Sequence, residues 1–350
     1  MHPFQENLQT WLFRKLASSA QNHCAEIPLI IATDIGLVRT ENQDRAAALY
    51  TGKKSTNPLL VIAVADGMGG MRDGGLCANL TISSFFHSIV QYRNLDIRDR
   101  ANEAIKEANN QVFEIYKGAG GSTLTALLLD SNDTKIIVHL GDTRVYSFGP
   151  NKKVERHTTD DSLAEAVGGS GRELLQFVGM GDSMHPRISE FTIREGLCAI
   201  TTDGIHGIEE KTLNKILENA ENIESASERL NALARWCGGI DNATSAIFDI
   251  DQIGAAIAKY ESSGIRVWDS GGDLTTLWLR EEDNAFIAKQ ARNIEKDKKK
   301  NPDQYGPLLP PSPPTGKTVK KQRPSTTRTK SKKQDSGYQD KIQLDIEIGN

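Results

Sequence analysis

No apolar run in this chain is long enough to cross a bilayer. The longest, Leu59 to Ala65 and Ile136 to Leu140, fall far short of the roughly twenty residues that a ~30 Å hydrocarbon layer requires. Trp11, Leu12 and Phe13 stand together near the N-terminus, but Glu6 precedes them and Arg14 and Lys15 end the run. Residues 1–27 therefore lack a signal peptide's apolar centre and read as an amphipathic segment packed on the domain. Cysteine is scarce. Cys24, Cys77, Cys198 and Cys237 are far apart and form no CxxC pair, which excludes a zinc ribbon and a disulfide framework and fits a reducing, cytoplasmic setting. Neither Cys77 nor Cys198 opens a Cys-x₅-Arg phosphate loop, so both read as small core residues. Gly118-Ala-Gly-Gly-Ser-Thr123 has no lysine before its hydroxyl residues, so it is not a Walker-type nucleotide loop.

What is present is a chain of 350 residues and 38% hydrophobic content, enough for a sizeable core. The net charge of −4 hides two opposed regions: between Phe286 and Gln334, fourteen Lys or Arg face three acids, so the remaining body is acidic. An acidic body that gathers carboxylates suits hard cations, whereas a nucleic-acid-binding core is ordinarily basic. The Lys-, Pro-, Ser- and Thr-rich stretch over 286–340 reads as a disordered tail. Such a tail fits docking of a protein partner, or phosphosites such as Ser325, Thr326 and Ser331, better than nucleic acid. Over 341–350, Ile342, Leu344, Ile346 and Ile348 alternate as in a short strand.

Short β-type runs and helical stretches alternate through residues 28–250, the main domain. The run 59–65 suits a buried strand and ends in the loop Asp66-Gly-Met-Gly-Gly70. Helices are expected over about 76–92, 97–116, 212–218 and 224–236; Ala101, Ala104, Ile105, Ala108, Val112 and Ile115 mark one buried face. Residues 123–129, 135–140 and 143–148 read as three successive strands of a meander, with Ser131-Asn-Asp133 as a hairpin loop. Further strands fall at 198–201 and 243–250. The glycine-rich region 158–193 reads as a mobile flap, and 251–285 as an appended hairpin and helix around Ser270-Gly-Gly-Asp273. The implied class is α+β, with sheets packed together and helices outside.

The chemistry lies in aspartates at strand ends. Asp66 follows a buried strand and opens a glycine-rich loop, where the backbone can approach an ion and offer it a carbonyl. Asp203 repeats the device before Gly204, Asp241 ends the Gly238-Gly239 turn, and Asp142 follows Gly141. Singly, Asp-Gly is a turn signal. Together, a few carboxylates and one carbonyl suffice for Mg²⁺ or Mn²⁺, which keep several waters. Arg39, in Thr33-Asp-Ile-Gly-Leu-Val-Arg-Thr-Glu-Asn-Gln-Asp44, could clamp a phosphate in bidentate fashion; alone it would read as a surface ion pair.

In order, Arg39-Thr-Glu-Asn-Gln-Asp44, Ala65-Asp-Gly-Met-Gly-Gly70, Gly121-Ser-Thr-Leu-Thr-Ala126, Gly141-Asp-Thr-Arg144, Thr202-Asp-Gly204 and Gly239-Ile-Asp-Asn-Ala-Thr244 resemble the motifs of the bacterial branch of the protein phosphatase 2C (PPM) family. The resemblance covers roughly Pro28 to Ile250. It implies a central antiparallel β-sandwich flanked by pairs of helices, and a metal-dependent protein serine/threonine phosphatase acting through a hydroxide that bridges two or three Mn²⁺ or Mg²⁺ ions. By resemblance, Asp66 would bridge two ions and Gly67 would offer its carbonyl. Asp203 and Asp241 would hold the other site, Asp44 would act through water, and Asp142 with Asp203 would form a third site. Arg39 would bind phosphate. The partners implied are phosphoserine and phosphothreonine proteins, among them a Ser/Thr kinase or its substrates. Two departures stand out: Met68 occupies the position where many eukaryotic relatives carry histidine, and Thr143 replaces the usual serine. A catalytically silent regulatory pseudophosphatase is the alternative, although none of the expected ligands is lost.

Overall fold

The computed structural model describes residues 1–278 except 54, 56, 151, 170–172, 262 and 263. The basic tail over 286–340 and the strand-like segment over 341–350 lie outside the described residues. Helix α1 (Pro3–Leu12) precedes strands β1 (Ser19–Cys24), β2 (Leu29–Asp34), β3 (Arg45–Tyr50) and β4 (Leu59–Ala65). Helices α2 (Gly74–Gln91) and α3 (Ile97–Tyr116) lead to β5 (Leu124–Asp130), β6 (Lys135–Leu140), β7 (Arg144–Gly149) and β8 (Lys152–Arg156). The flap holds α4 (Leu163–Val167), a 3₁₀ turn (Gly181–Ser183) and β9 (Arg187–Glu190). Then come β10 (Leu197–Thr201), α5 (Asp203–His206), α6 (Glu210–Glu218), α7 (Ile223–Trp236) and β11 (Ala243–Asp249). Helix α8 (Ile250–Lys259) and the hairpin β12 (Ile265–Asp269) and β13 (Gly272–Thr276) follow.

Strand alternation explains the layers. Along β4, Leu60, Ile62 and Val64 face one way and meet Ile31, Ile137, Ile200 and Phe248 in a core between two sheets. Leu59, Val61, Ala63 and Ala65 face the other way, against Ile82, Phe85 and Phe86 of α2 and Ala101, Ala104 and Ile105 of α3. The sheets run β1-β2-β11-β10-β7-β8 and β13-β12-β3-β4-β5-β6-β9, and every pairing is antiparallel. Helices α6 and α7 cover the outer face of the first sheet through Leu213, Leu217 and Leu230. The result is the α+β sandwich with flanking helices.

Helix α3 starts where Asp96 accepts hydrogen bonds from the amides of Arg98 and Asp99, and α7 starts with an Asn222–Ser225 capping box. Phe4, Leu8 and Leu12 of α1 are buried in the helix-side core.

The expected meander is corrected. β5 and β6 form a hairpin, but β6 pairs next with β9, and β7 lies in the other sheet. The crossing occurs at Gly141, whose φ of 107° lets the chain leave one sheet and enter the other within three residues, where a side chain would be strained and would strike Thr123. The segment 265–276 is also more than an appendage: β12 pairs with β3, Val267 opposite Leu49, as part of the seven-stranded sheet.

Trp268, 1% exposed, fills the inter-sheet core and donates from Nε1 to Glu26 at 3.2 Å. Trp268→Ala should cost about 3–5 kcal/mol of unfolding free energy in urea denaturation. A loss below ~1 kcal/mol would show the hairpin to be dispensable to the core.

Candidate functional site

Antiparallel register gathers the aspartates at one rim of the sandwich. Arg45 of β3 is opposite Ala65 of β4, so Asp44 and Asp66, each one residue past those ends, stand side by side. Arg144 of β7 and Ser245 of β11 both pair with Thr201 of β10. Asp142, Asp203 and Asp241 lie just beyond the ends of these three strands. Of the predicted residues, Arg39, Asp66, Gly67, Asp142, Asp203 and Asp241 line one cavity of about 450 Å³, together with Met68, Thr123 and Leu174 of the flap. Asp44 does not reach its wall; it lies buried behind the rim and borders a second cavity of about 360 Å³.

The positions are held by groups that read as ordinary motif residues in the sequence. Thr202 Oγ1 donates to Asp44 Oδ2 at 2.8 Å and accepts from the Thr244 amide at 3.0 Å. Thr123 Oγ1 accepts from the Asp66 amide at 2.9 Å, while the Thr123 amide donates to the Asp66 carbonyl at 2.8 Å. Asn242, 4% exposed, does the most. Its Oδ1 accepts from the Gln43 amide at 2.8 Å, and its Nδ2 donates to the carbonyls of Ile35 at 2.9 Å and Glu41 at 3.0 Å, tying the Arg39 loop to the Asp241 turn. The flap root holds the Asp142 turn: Asp161 accepts from the Gly141 amide at 3.0 Å, and Arg144 pairs with Asp160 at 2.6 Å. The one signal for these groups in the sequence is a polar residue set at the end of an apolar strand. A Cβ on Gly67 would stand 2.2 Å from the Gly74 carbonyl oxygen, so only glycine brings this backbone so close to the α2 start.

Electrostatically the site is under-compensated. Burial, then the carboxylates of Asp44, Asp203, Asp142 and Asp241, push Asp66 well above the usual carboxylate range. Burial likewise raises Asp44 against the opposing hydrogen bonds from Thr244 and Thr202. Asp142 is pushed up to about 7 by burial and by Asp203 and Asp160. The one cation on the cavity wall, among the described residues, is Arg39, whose Nη2 donates to Asp241 Oδ2 at 2.7 Å. Arg39 thus bears the surface-type ion pair foreseen as its bland reading, with side-chain exposure of 43% leaving it reachable from the cavity.

The carboxylates line walls and do not close on a point: among the described residues, no three His, Cys, Asp or Glu side chains form a ready-made cage for an ion. An oxygen-only donor set with like charges spread apart still fits small hard cations, which take a few carboxylates and a carbonyl and retain water. Among the described residues, the cavity wall carries no Cys, Ser or His. Cys77 and Cys198 are buried thiols elsewhere, Cys77 pushed up to about 11 by burial and Cys198 raised further by the same cause. Among the described residues the cavity thus offers no cysteine, serine or histidine nucleophile.

No protein-family model matches the chain. Among curated proteins it is 28% identical over 240 residues to the serine/threonine protein phosphatase PstP of Mycobacterium tuberculosis, covering 62% of this chain and 44% of that protein. It therefore spans less than half the length of PstP. It is 26% identical over 253 residues to the protein phosphatase PhpP of Streptococcus pneumoniae, covering 65% of this chain and 98% of that protein. Among solved structures, the PstP catalytic domain in complex with two manganese ions superposes with a TM-score of 0.52 at 24% identity, over 63% of this chain and 96% of that domain. The αββα layering, the aspartate rim and these relatives agree: the chain is similar in sequence to bacterial serine/threonine protein phosphatases, and it shares their fold.

Proposed function

We propose that this chain hydrolyses phosphoserine and phosphothreonine esters of proteins with the aid of Mn²⁺ or Mg²⁺, acting in cytoplasmic signalling opposite a Ser/Thr kinase. The observation that carries the reading is the convergence of Asp66, Asp142, Asp203 and Asp241 on one cavity beside Arg39, with Asp44 behind. So many poorly screened carboxylates favour added cations of high charge.

Asp66, the Gly67 carbonyl, Asp203 and Asp241 would hold two ions, with Asp44 acting through water and Asp142 with Asp203 serving a third. When bound, such ions acidify water and draw charge from phosphoryl oxygens. The chain's own groups do the positioning. Arg39 presents a fork of donors that matches a phosphoryl group and can stabilise the charge that shifts to the leaving oxygen. Its bond to Asp241 holds the guanidinium at the cavity wall, and Asn242 fixes the loop that carries it. Met68 offers no proton, and among the described residues no His, Lys or Tyr lines the cavity, so the leaving alkoxide would take its proton from water. Four widely spaced cysteines, three of them buried free thiols, support the reducing compartment.

Two outcomes are expected. Hydrolysis of p-nitrophenyl phosphate and of phosphothreonine peptides should stop on chelation, return with Mn²⁺ or Mg²⁺, and fall about 100-fold or more in kcat in Asp66→Asn or Asp203→Asn. Wild-type rates in either variant would overturn the assignment, and phosphopeptide binding without turnover in the metal-loaded wild type would point to a pseudophosphatase. Arg39→Ala should raise KM for phosphate esters roughly tenfold or more, with partial recovery in Arg39→Lys. An unchanged KM in steady-state assays would remove Arg39 from phosphate binding.

A further inference from the structure

Next to the cavity lies an apolar surface that the chemistry does not use. Leu37 is 60% exposed, Val38 65% and Ile240 61%. Large apolar side chains this open, gathered in one place, mark a contact surface more often than a free one. The two loops that carry them are tied together. The Leu37 amide donates to the Gly239 carbonyl at 2.6 Å, and Arg39 Nη2 donates to Asp241 Oδ2 at 2.7 Å. Val38 and Ile240 lie between these two ties, so they are neighbours at the lip of the cavity. Each is adjacent in sequence to a residue of the cavity wall.

We infer that Val38, Ile240 and Leu37 form a docking lip for apolar residues that flank the phosphorylated residue of a protein substrate. The inference rests on the phosphatase reading of the cavity and deepens it. Continuity with the cavity selects the occupant. A phosphoresidue whose phosphate reaches Arg39 holds its own backbone at the rim, and its neighbours, spaced about 3.3–3.6 Å per residue, fall on the side chains next to Arg39 and Asp241. Burying one or two apolar side chains there stabilises the complex with protein substrates and does nothing for a small ester.

The full chain is tested with p-nitrophenyl phosphate and two phosphothreonine peptides of equal charge. One has Leu or Val on both sides of the phosphothreonine, the other Ser or Gly. The wild type should favour the apolar peptide by about tenfold in kcat/KM, through KM. Val38→Ser/Ile240→Ser should erase that preference while kcat/KM for p-nitrophenyl phosphate stays within about twofold. Affinities of both labelled peptides are measured in parallel by fluorescence anisotropy in chelator, where turnover plays no part. Equal affinities for the two peptides would overturn the docking lip. So would parallel loss of p-nitrophenyl phosphate hydrolysis in the double variant. A wild-type dimer that the double variant converts to monomer in sedimentation would assign the lip to a second copy and overturn it as well. Failure of the metal-loaded wild type to hydrolyse p-nitrophenyl phosphate would instead sink the phosphatase reading, with the peptide affinities still deciding the lip.

Discussion

Like charges held together against their repulsion are the constraint on which this molecule turns. Separate carboxylates in water would move apart; here the strand ladders decide where they stand, because each aspartate is fixed within a residue or two of a paired strand end. Repulsion and burial both act to protonate them, as the raised Asp66, Asp44 and Asp142 show. The sandwich core is what opposes that force. The fold therefore maintains an unfavourable charge distribution that separate carboxylates in water would not adopt.

The support is polar and local. Thr202, Thr123 and Asn242 sit at or just past strand ends, buried, with side chains that take up backbone groups the ladders leave open. A buried hydroxyl or amide is tolerated only where it is satisfied, and here satisfaction and positioning are the same bonds. This makes the loops stiff without regular structure. It also explains how a loop as long as 35–44 can hold a guanidinium in place at the surface.

Much of this was legible in the sequence where the pattern was long or chemically unusual. Helix α3 follows from its spaced alanines and isoleucines, and β4 from its continuous apolar run. The aspartates stood out because several strands end in the same way. Five strands were not legible, among them β8, a charged edge strand, and β9 within the glycine-rich flap. β1, Ser19–Cys24, is a polar edge strand with mostly exposed side chains, β3 carries three consecutive alanines, and β2 runs directly into the loop of Arg39. The jump from β6 to β7 was hidden because a three-residue connection ordinarily makes a hairpin. Only the tertiary placement of β9 against β6 shows that the edge was already taken. The Arg39–Asp241 pair joins residues 202 apart in sequence and leaves no local trace.

The crossing at Gly141 has a further consequence. Asp66 and Asp44 hang from one sheet, Asp142, Asp203 and Asp241 from the other, and side chains interleaved between the sheets set the spacing. The cavity is thus a gap between two plates rather than a pit in one. Any sideways slip of one plate over the other would change the separation of the two carboxylate groups before it broke a single ladder. The separation of the carboxylates is in effect a caliper reading of how well the middle layer is packed.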